Sequence, residues 1–189
     1  MSANNTAVPA LEAELEGDVR VDCYVRSSVP AAVSERLTAL LERLQTLAET
    51  DAIADVQVSQ WPAEHAIGET DQPTREELVA EFDEWATEHG YSLEPGFCRQ
   101  QIDLSPFGID DPSETIRVPL VALAFYDADD AGNADETVQG VVPCTKSDQD
   151  DGKRTYTVDG WLTTVERHAS ETSPNGTQTD QRALLEGSR

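Results

Sequence analysis

"VRVDCYVRS", residues 19–27, alternates without a break. Val19, Val21, Cys23 and Val25 fall on one side of an extended chain, and Arg20, Asp22, Tyr24 and Arg26 on the other. A period of two with one apolar side is the pattern of a half-buried strand. The next stretch changes period. Ser28 stands before Val29 and Pro30, a capping hydroxyl with proline in the first turn. Val33, Leu37, Leu40, Leu41, Leu44, Leu47 and Ala48 then recur every three or four residues. That spacing predicts an amphipathic helix of about five turns. "DVQVSQW" (55–61) restores the alternation, so the chain opens with strand, helix, strand, a parallel crossover unit.

Beyond it, "GETDQP" (68–73) is a polar linker, and Thr74 with Glu77 forms a capping box. Leu78, Phe82, Trp85, Ala86 and His89 carry a second helix, which Gly90 stops at the position after its last turn. "GFCRQQID" (96–103) predicts a strand and "LSPFGIDDPSE" (104–114) a loop. "IRVPLVALAFY" (116–126) is the most apolar run and predicts a central strand. Pro119 within it implies a bulge or an exposed edge, because proline cannot donate to a ladder. "VQGVVPC" (138–144) is its antiparallel neighbour across an acidic loop. "RTYTV" (154–158) predicts a short strand, and Asp159 caps a last helix carrying Trp161, Leu162 and Val165. The expected class is α+β, a two-layer mixed β-sheet with packed helices in the order β-α-β-α-β-β-β-α. Residues 1–18 are expected as a flexible arm, 19–169 as a single domain and 170–189 as a disordered tail.

Charge sets the environment. Acidic residues number 37 against 13 basic ones, for a net charge of −24, and only Lys146 and Lys153 among the basic residues are lysines. The acids are spread along the chain, as on a solvated surface, and are not gathered in one binding tail. Repulsion of this size is screened in molar salt, where the Debye length is about 3 Å. Dispersed acid, scarce lysine and modest aromatic content together look like a protein from a salt-accumulating halophilic archaeon. No run of about 18 apolar residues predicts a membrane helix, and the first residues lack the pattern of a signal peptide. Three widely spaced cysteines, Cys23, Cys98 and Cys144, fit a reducing compartment. A cytoplasmic location is expected.

Catalytic and metal chemistry find little support. "DADDAGNADETV" (127–138) resembles a calcium loop, but its fifth place is Ala131 and its twelfth Val138, where oxygen ligands are needed. His65, His89 and His168 share no metal-ligand spacing with one another or with the cysteines. No phosphate-binding glycine loop or nucleophile elbow occurs. Neither a catalytic residue, a metal nor a cofactor is therefore assigned. Trp61, Glu64 and His65 lie just beyond a strand end, where open sheets often bind ligands, and are candidates for a ligand or interaction site. Arg20, Arg26, Arg99 and Arg117 fall on expected strands, could share one face of the sheet, and are the candidates for nucleic-acid contact. A Cys/His enzyme site would have to draw on Cys98, Cys144, His65 and Glu64 converging in the fold.

"RVDCYVRSSVP", "VQVSQWP", "LVAEFDEWATEHGYSLEPGF" and "RTYTVDGWL" resemble a family of haloarchaeal proteins, some of which are described as helix-turn-helix domain proteins. The resemblance spans about residues 19–168. It implies a DNA-binding transcriptional regulator, and it brings no catalytic residues with it. The leading expectation from the residues themselves is a non-catalytic domain acting through a protein partner or a small ligand in regulation. DNA binding is the first alternative and a small Cys/His enzyme the second.

Overall fold

The computed structural model describes residues 10, 18–63, 73–102, 113–130, 136–148 and 152–172. Strand β1 (Val19–Val25), helix α1 (Ala31–Glu49) and strand β2 (Asp55–Gln60) form the opening unit, with β2 parallel to β1. Helix α2 (Arg75–His89) follows, then seven strands: β3 (Tyr91–Ser92), β4 (Cys98–Ile102), β5 (Ser113–Arg117), β6 (Val121–Asp127), β7 (Val138–Val142), β8 (Cys144–Asp148) and β9 (Gly152–Tyr156). Helix α3 (Val158–Thr172) ends the described chain. The class is α+β as expected, with more strands between α2 and α3 than the sequence pattern separates.

Two prolines make most of the difference. The run 116–126 is two strands, β5 and β6, parted at Pro119. The carbonyls left without a ladder there are taken up elsewhere. The Trp61 indole N–H donates to Pro119 O at 3.1 Å, the Arg26 backbone N–H to Leu120 O at 3.0 Å, and the Arg26 guanidinium to Val118 O. Pro143 likewise parts β7 from β8. As a result the strands sort into a four-stranded sheet of order β2-β1-β6-β7, a three-stranded sheet β3-β8-β9 and a two-stranded ribbon β4-β5.

The central sheet is covered on both faces. Val21 and Cys23 pair with Phe125 and Leu123 of antiparallel β6, and all four are fully buried. α3 lies over this face, with the rings of Phe125 and Trp161 centred 4.7 Å apart. α1 joins it there through Leu44 and Leu47. On the other face, expected to be polar, Arg20 is only 7 % exposed and Tyr24 meets Phe82 of α2, ring to ring, at 6.0 Å.

Capping follows the expectation at one helix and departs from it at two. Thr74 and Glu77 form the reciprocal box at α2, and Gly90 closes that helix at φ 73°. Pro30, not Ser28, occupies the cap of α1, with no side-chain bond to the helix. At α3 the cap is Thr157, whose hydroxyl accepts the Gly160 N–H at 3.1 Å. Asp159, within the first turn, is held by Arg43 of α1 at 2.6 Å. Ala10 is the one described residue before Asp18. It is buried, and its carbonyl accepts the Trp161 indole N–H at 2.8 Å.

Candidate functional site

The four strand arginines do not share a face. Arg20 sits on β1 in the central sheet, whereas Arg99 and Arg117 lie on β4 and β5 of the separate ribbon. There Arg99 pairs with Ile116 and Arg117 with Cys98, so alternation sends the two arginines to opposite sides. Arg20 is an internal ion pair. Its guanidinium is 3.0 Å from Asp22 and 2.5 Å from Glu136, and lies 4.8 Å from the centre of the Tyr126 ring. Burial pushes the Asp22 carboxyl up, with Arg20 pulling against it. Arg26 is engaged with a backbone carbonyl, and Arg99 lies 3.3 Å from Asp83.

Trp61 is also structural. It is 6 % exposed, stacks on Tyr24 at 5.0 Å and meets Phe82 and Phe97 edge-on. Glu64 and His65 lie outside the described residues, as do residues 131–135 of the acidic loop. Burial pushes the thiols of Cys23 and Cys144 up to about 12, the opposite of an activated nucleophile. Among the described residues no group of three His, Cys, Asp or Glu could hold a metal.

Cationic side chains concentrate on a different element. β8 and β9 are antiparallel, with Lys146 opposite Arg154 and Ser147 opposite Lys153. Both lysines of the chain and one arginine thus lie on a single two-stranded ribbon. β3 borders β8 on its other side, placing Tyr91 opposite Lys146. Alternation puts Tyr91, Lys146, Arg154 and Tyr156 on one face. The Lys146 ammonium lies 5.2 Å from the centre of the Tyr91 ring, and the Arg154 guanidinium 4.9 Å from that of Tyr156. Those rings meet at 6.0 Å, Trp85 stacks on Tyr91 at 5.4 Å, and His89 stacks on Trp85 at 5.5 Å. Three buried aromatics, Trp85, Tyr91 and Tyr156, therefore prop two cations at the surface, each such cation–ring pair worth about 0.5–1 kcal/mol at exposed sites.

Helix α3 extends this surface. A groove of about 410 Å³ runs between β9 and α3, lined by Arg154, Thr155, Thr157, Thr164 and His168 among others. Two of the three acids of α3, Asp159 and Glu166, are drawn away from it, while Glu171 is exposed one turn beyond His168. Arg43 reaches across from α1 to grip Glu166 at 2.7 and 2.9 Å and Asp159 at 2.6 Å. That grip holds the Glu166 carboxyl below the usual carboxylate range. Arg167 and His168 are exposed on the same helix. By contrast, α2 presents Glu76, Glu77, Glu81, Asp83, Glu84 and Glu88 against Arg75, whose Nε is bound to the Pro62 carbonyl at 2.9 Å. Hydroxyls, a groove and cations on a ribbon suit the backbone of a polyanion.

One signal in the sequence points to this ribbon. The only two lysines fall seven residues apart, about a glycine, in "KSDQDDGKR" (146–154). No helix among the described residues is long and apolar enough to cross a membrane. Residues 13–170 match a protein-family model described as a helix-turn-helix domain. Neither the curated proteins nor the solved structures yield a match.

Proposed function

The chain belongs to the helix-turn-helix domain family, and on that premise we propose that it is a non-catalytic, DNA-binding regulatory domain that meets phosphate through the β8–β9 ribbon. The observation that carries this reading is that both lysines and one arginine of a chain with net charge −24 fall on one ribbon, Lys146 and Arg154 on one face and Lys153 on the other. Phosphate contacts supply most of the affinity and fix the register of a protein on a duplex. By count of charged side chains every helix is net acidic, but in α3 Arg43 of α1 neutralises two of the three acids, Asp159 and Glu166. The exposed face of α3, with Arg167 and His168, adjoins the ribbon and is the helix we assign to the groove. Dispersed acidity and scarce lysine support a cytoplasmic role in a halophilic archaeon, where molar salt screens the surface. A second reading, action through a protein partner, draws on the apolar stripe of α1. Leu37, Leu40 and Leu41 are only partly buried there, and Val58 on β2 is 49 % exposed.

Selection from a random duplex library, followed by fluorescence anisotropy between 0.5 and 2 M KCl, tests the proposal (concentrations about those at which surface repulsion is screened). We expect one enriched sequence whose affinity falls with salt. Lys153→Glu with Arg154→Glu should weaken it and flatten the slope by about 0.9 for each phosphate no longer neutralised. Asp150→Asn with Asp151→Asn, between the two strands in sequence, should tighten it. Absence of any enriched sequence, or binding indifferent to these changes, rejects the assignment. Light scattering that finds a dimer dispersed by Leu37→Lys would favour the partner reading.

A further inference from the structure

A second cavity, of about 280 Å³, lies between α2 and the β4–β5 ribbon. Its floor is apolar: Val79, Ala86, Leu93, Phe97 and Ile116 line it, each buried. Its rim is polar and holds two carboxylates, Asp83 and Glu94, and one guanidinium, Arg99. Asp83 and Arg99 face each other at 3.3 Å, so the charge of the arginine is matched within the rim. Glu94 then leaves the mouth with a net negative charge. Concave sites with an apolar floor and a few converging polar groups are where small molecules bind. An apolar body would fill the floor here, and an ammonium group would meet carboxylate at the mouth.

One wall of the cavity belongs also to the ribbon sheet. Tyr91 lines the cavity and pairs with Lys146 of β8, and Ser92 pairs with Thr145. The buried Thr145 hydroxyl donates to the Glu94 carbonyl at 3.3 Å. Gly96 lies so close to Pro143 that a Cβ there would stand 2.8 Å from the proline Cγ. Segment 91–97 and β8 are therefore one packed body. A molecule that presses on Tyr91 or draws on Glu94 acts on the strand that carries Lys146.

We propose that this cavity is an effector site for a small primary amine with an apolar body, and that its occupancy is coupled to the hold of the β8–β9 ribbon on DNA. The coupling rests on the DNA-binding reading above; the amine site does not.

The probe is phenethylamine, with 3-phenylpropionate as the charge-reversed control, titrated against the full chain in 2 M KCl (about the upper screening range) and followed by backbone-amide NMR. We expect saturable binding of the amine with shifts at Thr87, Ser92 and Phe97, and none for the acid. Glu94→Gln, an exposed position, should weaken the amine about tenfold, the worth of one charge-assisted hydrogen bond. Thr87→Trp should block the mouth while circular dichroism shows the fold retained. Binding of the acid instead, binding unchanged in both variants, or no saturable binding of either probe overturns the site. Saturating amine should change the affinity for the selected duplex about fivefold or more, the lower range of allosteric couplings, and leave Thr87→Trp unaffected. An unchanged affinity in the wild type overturns the coupling. If no duplex is bound at all, the DNA-binding reading and the coupling fall together, while the amine titration still decides the site.

Discussion

Removing the Arg20 guanidinium would strand two carboxylates, Asp22 and Glu136, whose side chains are 15 % and 23 % exposed. Breaking a largely buried ion pair at one partner costs about 3–5 kcal/mol. Arg20→Ala should therefore lower unfolding free energy by an amount in that range, measured by chemical denaturation in molar KCl. A decrease below about 1 kcal/mol, the value of a surface pair, would show that the cluster is open to water. Arg43 gives a smaller, pH-dependent effect because its partners are more exposed. Glu166 has its folded pKa lowered by hydrogen bonds from Arg43. A carboxylate of this kind adds stability above its unfolded pKa, about 4.3, and loses it as pH falls through the lower folded value. Arg43→Ala should then cost about 0.5–1 kcal/mol at pH 7. The gap to the wild type should close below about pH 4, as followed by thermal melts. Equal gaps at pH 7 and pH 3 would assign the effect to packing of the arginine stem.

Among the elements, the opening β1-α1-β2 unit is the most legible, since its change of period from two to 3.6 and back is written into 19–61. α2 is also plain, from its capping box and Gly90. Pro119 signals a disruption without marking a boundary, because a single residue does not reveal that Arg26 and Trp61 wait to bind the freed carbonyls. Pro143 hides β8 for the same reason. The ribbon is hard to read because its cations are held by rings distant in sequence, Tyr91 above all. Sequence spacing cannot show that juxtaposition. Arg20 and Trp61 look available because strand alternation assigns a face without telling what covers it. Only the packing of α2 does that. The hydrogen bond from Trp161 to Ala10 has a consequence at this scale too. Deleting residues 1–18 removes the acceptor of a buried indole N–H, at a cost of about 1–3 kcal/mol. The melting temperature should fall by several degrees, and Trp161→Phe should recover part of the difference between the two lengths of chain. No change on deletion would leave the indole satisfied by other means.

The whole molecule carries net charge −24, and its stability should depend on screening more than on any one ion pair. Repulsion reaching about 30 Å at 0.01 M salt is cut to about 3 Å at 1 M. Melting temperature should rise steeply between dilute buffer and 2 M KCl (about the range over which screening saturates). It should rise equally for the Arg43→Ala variant, whose defect is local. A flat salt response would mean that the acids are neutralised in pairs. The division of the strands into three sheets adds something different. The central sheet and the ribbon meet at Pro143 but share no ladder, so their amide protons need not exchange with solvent together. Those of Cys23, Leu123 and Val141, fully buried, should be released only by global unfolding. Those of Lys153 and Thr155, on an exposed strand, should exchange through local opening. A molecule built this way can fray at its cationic edge many times without once disturbing its centre.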